Sequence, residues 1–458
     1  MKPLLSWRRW RREPRAQPGP DEGSLVVLAA LALAAGAGSG LIAALFRLAL
    51  AWVEEWRGAL IVHAHHQTFI GFVLVVLGCA AAVALAAGLV RRFSPYASGS
   101  GIPQVEGALT GDLPPAPPRL LLVKFIGGLL TIGAGMALGR EGPSVQMGAV
   151  VADLVGKAGR RAWPDLRTLV AAGAGAGLAV AFNAPIAGAV FVLEELVRRL
   201  ETRVAISALG ASATAILISR LFLGDMPDFQ VTIAAQAASA IGPLPFAVAA
   251  TWPLYLIFGG VCGVAAALYN RAILGAVKLA AGLDQRCPIE LQAAAIGALV
   301  GVIGWFAPGL IGGGDAITQR LLAGGAAIGA VPLALVVRFG LGAASYAART
   351  PGGLFAPLLV LGAQLGFLSG ALARAALPGL GIEPEAFAVV GMAAFFTGVV
   401  QAPITGIVLV IEMTAAFSTL LPMVAACFAA MAAVNLLRTA PIYDSLRERA
   451  VDTNRLST

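Results

Sequence analysis

The sequence predicts an all-α polytopic membrane protein that is built from two related halves. Of its 458 residues, 59% are apolar and 12% are charged, whereas soluble domains have about 45–50% and about 25%. Apolar stretches long enough to cross about 30 Å of hydrocarbon recur along the chain, for example at 24–46, 68–90, 244–269 and 417–437. Short motifs of the first half return in the second half in the same order. Together these observations exclude a soluble globular fold.

Positive charge is concentrated at the two ends of the chain. A basic arm precedes the first apolar stretch, and Arg438, Arg447, Arg449 and Arg455 follow the last one. Because cytoplasmic segments of membrane proteins carry an excess of Lys and Arg, we expect both termini in the cytoplasm. The net charge of +8 then reflects topology and contact with anionic membrane lipid, and nothing in the chain resembles a nucleic-acid-binding module.

The cysteines and histidines indicate neither a metal site nor a cofactor. The four cysteines are far apart in the sequence, so neither a disulfide framework nor a metal-ligand spacing is suggested. His63, His65 and His66 cluster after the first apolar stretch without a carboxylate or cysteine close by. We interpret them as residues of a solvated polar loop, to which no role is assigned.

Five prolines follow small residues deep inside apolar sequence. They are Pro103, Pro143, Pro185, Pro357 and Pro403. Proline suits the first turn of a helix, where its missing N–H is not needed. Each of them therefore predicts a helix that begins within the membrane, although a kink that lets helices pack closely is the alternative for any single one.

Two of these proline motifs occur twice, which indicates an internal duplication. AFNAPIAGAVFVLEEL (181–196) matches VVQAPITGIVLVIEMT (399–414) at seven of sixteen positions, with an offset of 218. Residues 139–149 match residues 353–363 at four positions, with an offset of 214. Broken helices at corresponding places of two repeats point to a transport site near the middle of the membrane.

The duplication divides the chain into five parts. We predict a basic cytoplasmic arm (1–24), a first membrane repeat (25–222), a connecting loop (223–243), a second membrane repeat (244–437) and a cytoplasmic tail (438–458).

Several helix N-termini that meet at one point would bind an anion. A helix N-terminus offers free N–H groups and about half a positive charge, so no lysine or arginine is needed as a ligand. Glycine beside each proline lets an ion approach the backbone, and Ser100 in GSGIP (99–103) adds a hydroxyl donor. This chemistry suits a small anion that must also be released.

Four carboxylates lie in apolar surroundings, where a charge costs roughly 2.5–3.5 kcal/mol. They are Glu141, Glu194, Glu195 and Glu412. A carboxylate at an anion site competes with the anion when ionised and withdraws when protonated, which couples anion movement to protons. Glu141 fits this role because it lies inside GREGP (139–143). Alternatively, Glu141 only stabilises a helix start, and Glu194 and Glu195 mark a helix end that faces the cytoplasm.

Three cations and a tyrosine lie in or beside the same apolar stretches. We expect Lys124, Arg140 and Arg338 to snorkel or to pair with a carboxylate rather than to bind the anion directly. Tyr443, just after the final stretch, is either an aromatic residue of the membrane interface or a hydroxyl donor to the anion.

These motifs together resemble the CLC family of chloride channels and chloride/proton antiporters. GSGIP (99–103), GREGP (139–143), GLFAP (353–357) and Tyr443 follow the order and spacing of the family's anion-binding elements, and the resemblance covers about residues 25–450. It implies two inverted-topology repeats of tilted, partly non-spanning helices, assembled as a homodimer with one pathway per subunit.

The resemblance also implies roles for individual residues. A central chloride would be bound by the hydroxyl groups of Ser100 and Tyr443 and by the backbone N–H groups of Leu354 and Phe355. Glu141 would be the external gate and proton acceptor. Glu195 looks like the internal proton-transfer glutamate that most channels of the family lack. The resemblance therefore implies a chloride/proton antiporter, with a passive voltage- or pH-gated chloride channel as the alternative.

Two departures from the family pattern bear on regulation and on the site. Gln104 follows GSGIP where many relatives have Glu, which removes a charge near the site. About fifteen residues follow Tyr443, so we expect no CBS domains and a prokaryotic protein of the inner membrane. An enzyme is not expected, because a hydrolase in the bilayer would need a nucleophile with a base or a metal, and Ser100 has no candidate base beside it.

Overall fold

The computed structural model describes residues 24–225, 228–231 and 246–456, and in these ranges every named element is a helix. The first half contains eight α-helices among the described residues: α1 (Leu25–His65), α2 (Thr68–Phe93), α3 (Ile102–Thr110), α4 (Leu120–Gly133), α5 (Glu141–Ala158), α6 (Trp163–Phe182), α7 (Pro185–Phe191) and α8 (Thr202–Leu223). A π-helical turn, Val192–Leu196, continues α7.

The second half repeats this order. It contains α9 (Phe246–Leu283), α10 (Ile289–Phe306), α11 (Asp315–Leu322), α12 (Val331–Ala347), α13 (Phe355–Ala376), α14 (Pro384–Val400), α15 (Pro403–Thr414) and α16 (Leu420–Leu436), and α17 (Ile442–Leu456) follows. Each half starts with a very long helix, of 41 and 38 residues, and has a third helix of only 9 and 8 residues. The duplicated sequence therefore folds into duplicated structure.

Helix lengths in the described ranges fit a membrane protein whose helices are tilted and in part too short to span. Nine helices are long and apolar enough to cross a membrane, whereas Leu120–Gly133, Pro384–Val400 and Pro403–Thr414 are shorter apolar helices. At 1.5 Å per residue, α1 is about 60 Å long and must be strongly tilted to keep its apolar part in a layer of about 30 Å. The predicted fold class, an all-α polytopic membrane protein with two repeats, is confirmed.

All five prolines lie in the first three residues of a helix, as predicted. Pro185 and Pro403 begin α7 and α15, Pro103 is second in α3, and Pro143 and Pro357 are third in α5 and α13. N–H groups in the first turn of a helix have no acceptor within the helix. The missing N–H of proline therefore costs nothing there, which is why a helix starts at each of these points.

The histidine cluster does not form the polar loop that the sequence suggested. His63 and His65 belong to the last turn of α1, and His66 only caps it. The His65 ring stacks on Trp305 of α10 with centroids 3.9 Å apart and planes 8° apart, and its Nδ1 lies 2.7 Å from the carbonyl oxygen of Ile61. The helix therefore continues through the histidines, and the stacking on Trp305 links the two halves. The basic arm and most of the connecting loop lie outside the described residues.

Two glutamates at matched positions of the duplication cap each other's helices. Glu412, on α15, accepts hydrogen bonds of 3.1 and 2.7 Å from N–H groups in the first turn of α7. Glu194, in the turn that continues α7, accepts bonds of 3.0 and 2.6 Å from the first turn of α15. The interpretation of Glu194 as a simple charge at a helix end is therefore wrong: its carboxylate satisfies the free N–H groups of a helix in the other half.

We expect Glu412→Ala to lower thermal stability without loss of the fold. The change leaves two N–H groups of α7 without their carboxylate partner, at a cost of about 1–3 kcal/mol. Glu412→Gln keeps one acceptor oxygen and should cost less. Thermal unfolding of the purified proteins in detergent measures their melting temperatures. We expect the highest value for the wild type, a lower one for Glu412→Gln and the lowest for Glu412→Ala. Identical melting temperatures for all three would contradict the capping role.

Candidate functional site

Three glycine loops meet in the interior and are joined through their backbones. Gly99 donates to the carbonyl of Thr350 at 3.1 Å and accepts from Gly352 at 3.1 Å, while Gly139 and Gly353 exchange hydrogen bonds of 2.8 and 2.6 Å. These bonds join the loops that lead into α3, α5 and α13. The N-termini of α3, α5 and α13 therefore converge, although α13 begins more than 200 residues after the other two.

Glycine is required where these loops touch. A Cβ placed on Gly142 would collide with the side chain and backbone of Ser100. Gly101 has a φ of +91°, in the left-handed region, and a Cβ there would collide with Gln146. The glycines of GSGIP and GREGP thus allow the two helix starts to come into direct contact.

A buried lysine binds backbone carbonyls in and next to the GSGIP loop. The Lys124 ammonium donates to the carbonyl of Ala97 at 3.1 Å and to that of Gly99 at 2.7 Å. Arg338 likewise donates to carbonyls of the loop before α11, among them those of Gly312 and Gly313. Neither cation has a carboxylate within 4.0 Å among the described residues, so of the two expected alternatives, snorkelling or pairing with a carboxylate, the pairing is wrong for these two. Backbone carbonyls disperse their charge instead.

Two buried hydroxyl groups lie together in the interior of the described structure. Ser100 Oγ and Tyr443 Oη are both fully buried and are close neighbours, and neither makes a hydrogen bond of ordinary length and angle among the described residues. The Tyr443 ring stacks on Phe355, with centroids 6.1 Å apart and planes 23° apart. An orphaned buried hydroxyl is costly, so two that are close neighbours indicate a site for a hydrogen-bond acceptor.

The N-terminus of α13 borders the same place. Leu354 is the N-cap residue of α13 and Phe355 its first residue, and both are fully buried. Their N–H groups belong to the first turn of the helix, which has no intrahelical acceptors. Together with the two hydroxyls they would provide donors without a formal positive charge, which is the donor set that the family resemblance implies for a central chloride.

Glu141 lies at these same helix starts. It is the first residue of α5 and is buried, and its Oε2 has no partner among the described residues. The carboxylate lies against the backbone N–H groups of its own residue and of Ala356. An ionised carboxylate here would take the donors that an anion needs, so the two would compete.

Glu195 belongs to a second, separate cluster of acidic residues. It is buried in the π-helical turn, where Arg198 contacts it at 3.4 Å and also binds Asp444 at 3.0 Å. Its carboxylate is a neighbour of Glu106, a buried residue of α3 whose two oxygens have no hydrogen-bond partner among the described residues. Sequence reasoning missed Glu106, although a carboxylate three residues after Pro103 in an apolar helix was a signal. Asp444 directly follows Tyr443, so the cluster is tied to the helix of the anion site.

An ion pair outside the membrane-spanning helices supports the loop before α13. Arg349, which has a φ of +57°, donates to both carboxylate oxygens of Asp284 at 2.8 and 2.9 Å. Partial burial acts to raise the pKa of Asp284, but hydrogen bonds from Arg349 and Gln292 hold it below its usual range. The pair anchors the residue before Thr350, which binds Gly99.

The fold and this site define a polytopic membrane protein of the transport class, in which helix N-termini converge on a buried centre. The family model described as voltage gated chloride channel matches residues 80–435. Over 439 residues the chain is 36% identical to the H(+)/Cl(−) exchange transporters ClcA of Citrobacter koseri and Salmonella typhimurium, covering 94% of this chain and 90% of each relative. The chain therefore belongs to the voltage-gated chloride channel (CLC) family.

Solved structures agree with this assignment. A slow cyanobacterial Cl−/H+ antiporter has 31% sequence identity and a TM-score of 0.86, covering 93% of this chain and 98% of that one. A CLC-type fluoride/proton antiporter has 22% identity and a TM-score of 0.71, covering 89% and 95%, and shares the fold. The named relatives are transporters rather than enzymes, as expected.

Proposed function

We propose that this protein exchanges chloride for protons across the membrane. Relatives at 36% identity are named H(+)/Cl(−) exchange transporters, and a structural neighbour is a Cl−/H+ antiporter. The observation that carries the proposal is the meeting of a buried carboxylate with partnerless hydroxyls at the starts of α5 and α13. The proposed chloride site and the proton-carrying carboxylate of Glu141 thus lie at the same helix N-termini.

Chloride binds, in this proposal, between the hydroxyls of Ser100 and Tyr443 and the N–H groups of Leu354 and Phe355. All four residues are fully buried, so the weak dipolar donors act in a medium of low dielectric constant, where they are stronger than in water. The neighbouring cation Lys124 is engaged by carbonyl groups. The ion is therefore held without a direct ion pair and can be released quickly.

Glu141 acts as the gate. When ionised, it occupies the helix N-termini and excludes chloride; when protonated, it loses its affinity for those donors and moves aside. Each chloride that passes therefore requires a proton on Glu141. This competition is what couples the two fluxes.

Glu195 passes protons between the cytoplasm and the gate. It belongs to the cluster with Glu106 and Arg198 and is not itself one of the anion donors. A proton route that is partly separate from the chloride route lets the two ions move in opposite directions through the same subunit. The carboxylate of Glu106 beside Glu195 provides a second oxygen-bearing group that can share a proton.

The protein acts as a homodimer in the inner membrane, with both termini in the cytoplasm. All residues of the proposed anion site come from one chain, so each subunit has its own pathway, in line with the family pattern. The basic residues at both ends support this orientation. Membrane lipid covers the remaining apolar surface.

Removal of either hydroxyl should weaken chloride binding. Ser100→Ala and Tyr443→Phe each delete one buried donor, which corresponds to a rise in the dissociation constant of about 2- to 10-fold. Isothermal titration of the detergent-solubilised protein with chloride measures the change. Ser212→Ala is the matched control, because its buried hydroxyl on α8 is also without a partner among the described residues. An equal loss in the control would contradict the assignment.

Proton uptake into proteoliposomes tests the function. With an imposed chloride gradient and no pH gradient, chloride leaving the vesicles should drive protons inward against the developing pH difference. Chloride movement without protons would instead identify the passive chloride channel, and no chloride movement would refute the assigned substrate.

A further inference from the structure

A short piece of the connection between the two halves is tied to the gate motif. Asp228 Oδ1 binds the guanidinium of Arg47 at 2.7 Å, and its Oδ2 binds that of Arg140 at 3.2 Å. The Asp228 side chain is only 10% exposed. Arg140 directly precedes Glu141 in GREGP. A carboxylate from the connection therefore pairs with the residue next to the gate.

The same piece is also fixed to the second half. Phe229 donates its N–H to the carbonyl of Met413 at 3.1 Å. Gln230 and the Gln319 side chain of α11 exchange hydrogen bonds of 3.0 and 2.8 Å. These contacts hold the backbone next to Asp228, so its carboxylate is held in place between the two arginines.

Both arginines lie at the C-terminus of α6. Arg47 donates to the carbonyl of Val180 at 2.9 Å, and Arg140 donates to that of Ala181 at 3.1 Å. These carbonyls are in the last turn of the helix, where cations are favoured by the helix dipole. Asp228 compensates the charge of both guanidinium groups and orients them toward α6.

The charged groups around Glu141 determine which partner Arg140 would have if the Asp228 carboxylate were absent. Glu141 is faced by Arg140 and by Asp315 of α11, and Tyr443 is the nearby titratable group of α17. Arg140 also faces Glu54 of α1, and its contact with Asp315 is only 3.8 Å to a side chain that is 52% exposed. Lys124 of α4 is engaged by carbonyls. An Arg140 that has lost its ion pair with Asp228 would therefore be the cation next to Glu141. It would stabilise the ionised form of the Glu141 carboxylate.

We propose that Asp228 is a positioning residue of the gate: it holds Arg140 on the C-terminus of α6 and away from the Glu141 carboxylate. The inference rests on the proposed exchange function. Without the Asp228 carboxylate, Arg140 binds ionised Glu141 and keeps the gate in the anion site. Protons then open the gate only at lower pH.

The pH dependence of chloride flux in proteoliposomes tests this proposal. Asp228→Asn, which keeps the shape and loses the charge, should shift the half-maximal flux about one pH unit toward acid. Asp315→Asn is the comparison variant and should shift it less, because that carboxylate is half exposed and contacts Arg140 at 3.8 Å, against 3.2 Å for Asp228. The double variant Asp228→Asn with Arg140→Gln should match Arg140→Gln alone, since the freed cation is absent.

Other results would overturn the proposal. A wild-type pH profile for Asp228→Asn, or a shift that persists in the double variant, shows that Asp228 does not act through Arg140. If Asp228→Asn does not fold, Arg140→Lys replaces it: a lysine keeps the charge but cannot reach Asp228 and Ala181 together, and the same acid shift is expected. Proton coupling of the wild type is measured in parallel, so an uncoupled wild type refutes exchange, whereas a coupled wild type with unshifted variants refutes only the positioning role.

Discussion

Glu141→Gln protein is expected to conduct chloride and to carry no protons. Glutamine fills the volume of the protonated glutamate but cannot ionise, so it neither excludes chloride from the N-termini of α5 and α13 nor releases a proton there. Chloride flux should continue at all pH values from 5 to 8, and proton flux should fall to that of protein-free vesicles. Simultaneous recordings with a chloride electrode and a pH electrode measure both quantities.

A control change outside the site makes this result specific. Glu412→Gln alters a carboxylate in the same way, but at the helix cap of α7, and should keep coupled transport. Uphill proton movement by Glu141→Gln protein would contradict the gating role.

Glu195→Gln is expected to abolish proton transport while chloride still moves. The carboxylate of Glu195 lies in the second cluster and not among the anion donors, so its loss interrupts only the proton route. Proton flux should fall by at least about 100-fold, the lower end of what a positioned proton-transfer group contributes. Chloride flux should stay above that of protein-free vesicles.

The neighbouring residue is the matched control. Glu194 is in the same turn, but its carboxylate caps α15, so Glu194→Gln should lose stability and keep its ratio of chloride to protons. If Glu194→Gln and Glu195→Gln uncouple equally, the turn as a whole matters and the assigned role of Glu195 is wrong.

The sequence predicted the fold because its strongest signals are local. A proline after small residues determines where a helix begins regardless of its neighbours, and all five prolines did so. Matching motifs at offsets of 218 and 214 predicted two similar halves. The motifs at Ser100, Glu141 and Leu354 converge because the loops before these helix starts are joined by backbone hydrogen bonds.

Partners that come from distant elements were not predictable. Lys124 was expected to snorkel or to pair with a carboxylate, but it binds carbonyls of a loop 25 and 27 residues away. Only the fold brings Asp228 to Arg140, since the two lie 88 residues apart. Glu106 was overlooked although it lies three residues after Pro103, because only the fold brings it beside Glu195. The mutual caps of Glu194 and Glu412 had a clue in the sequence, because the two residues occupy equivalent positions of the duplication.

The membrane voltage at which no net current flows tests the central claim most directly. Wild-type protein in a planar bilayer is given a fixed chloride gradient, and the zero-current voltage is recorded with and without a pH gradient. Exchange of chloride for protons predicts a voltage that departs from the chloride equilibrium potential and shifts when the pH gradient is changed. A voltage that stays at the chloride equilibrium potential under every pH gradient would contradict exchange and identify a passive chloride pathway.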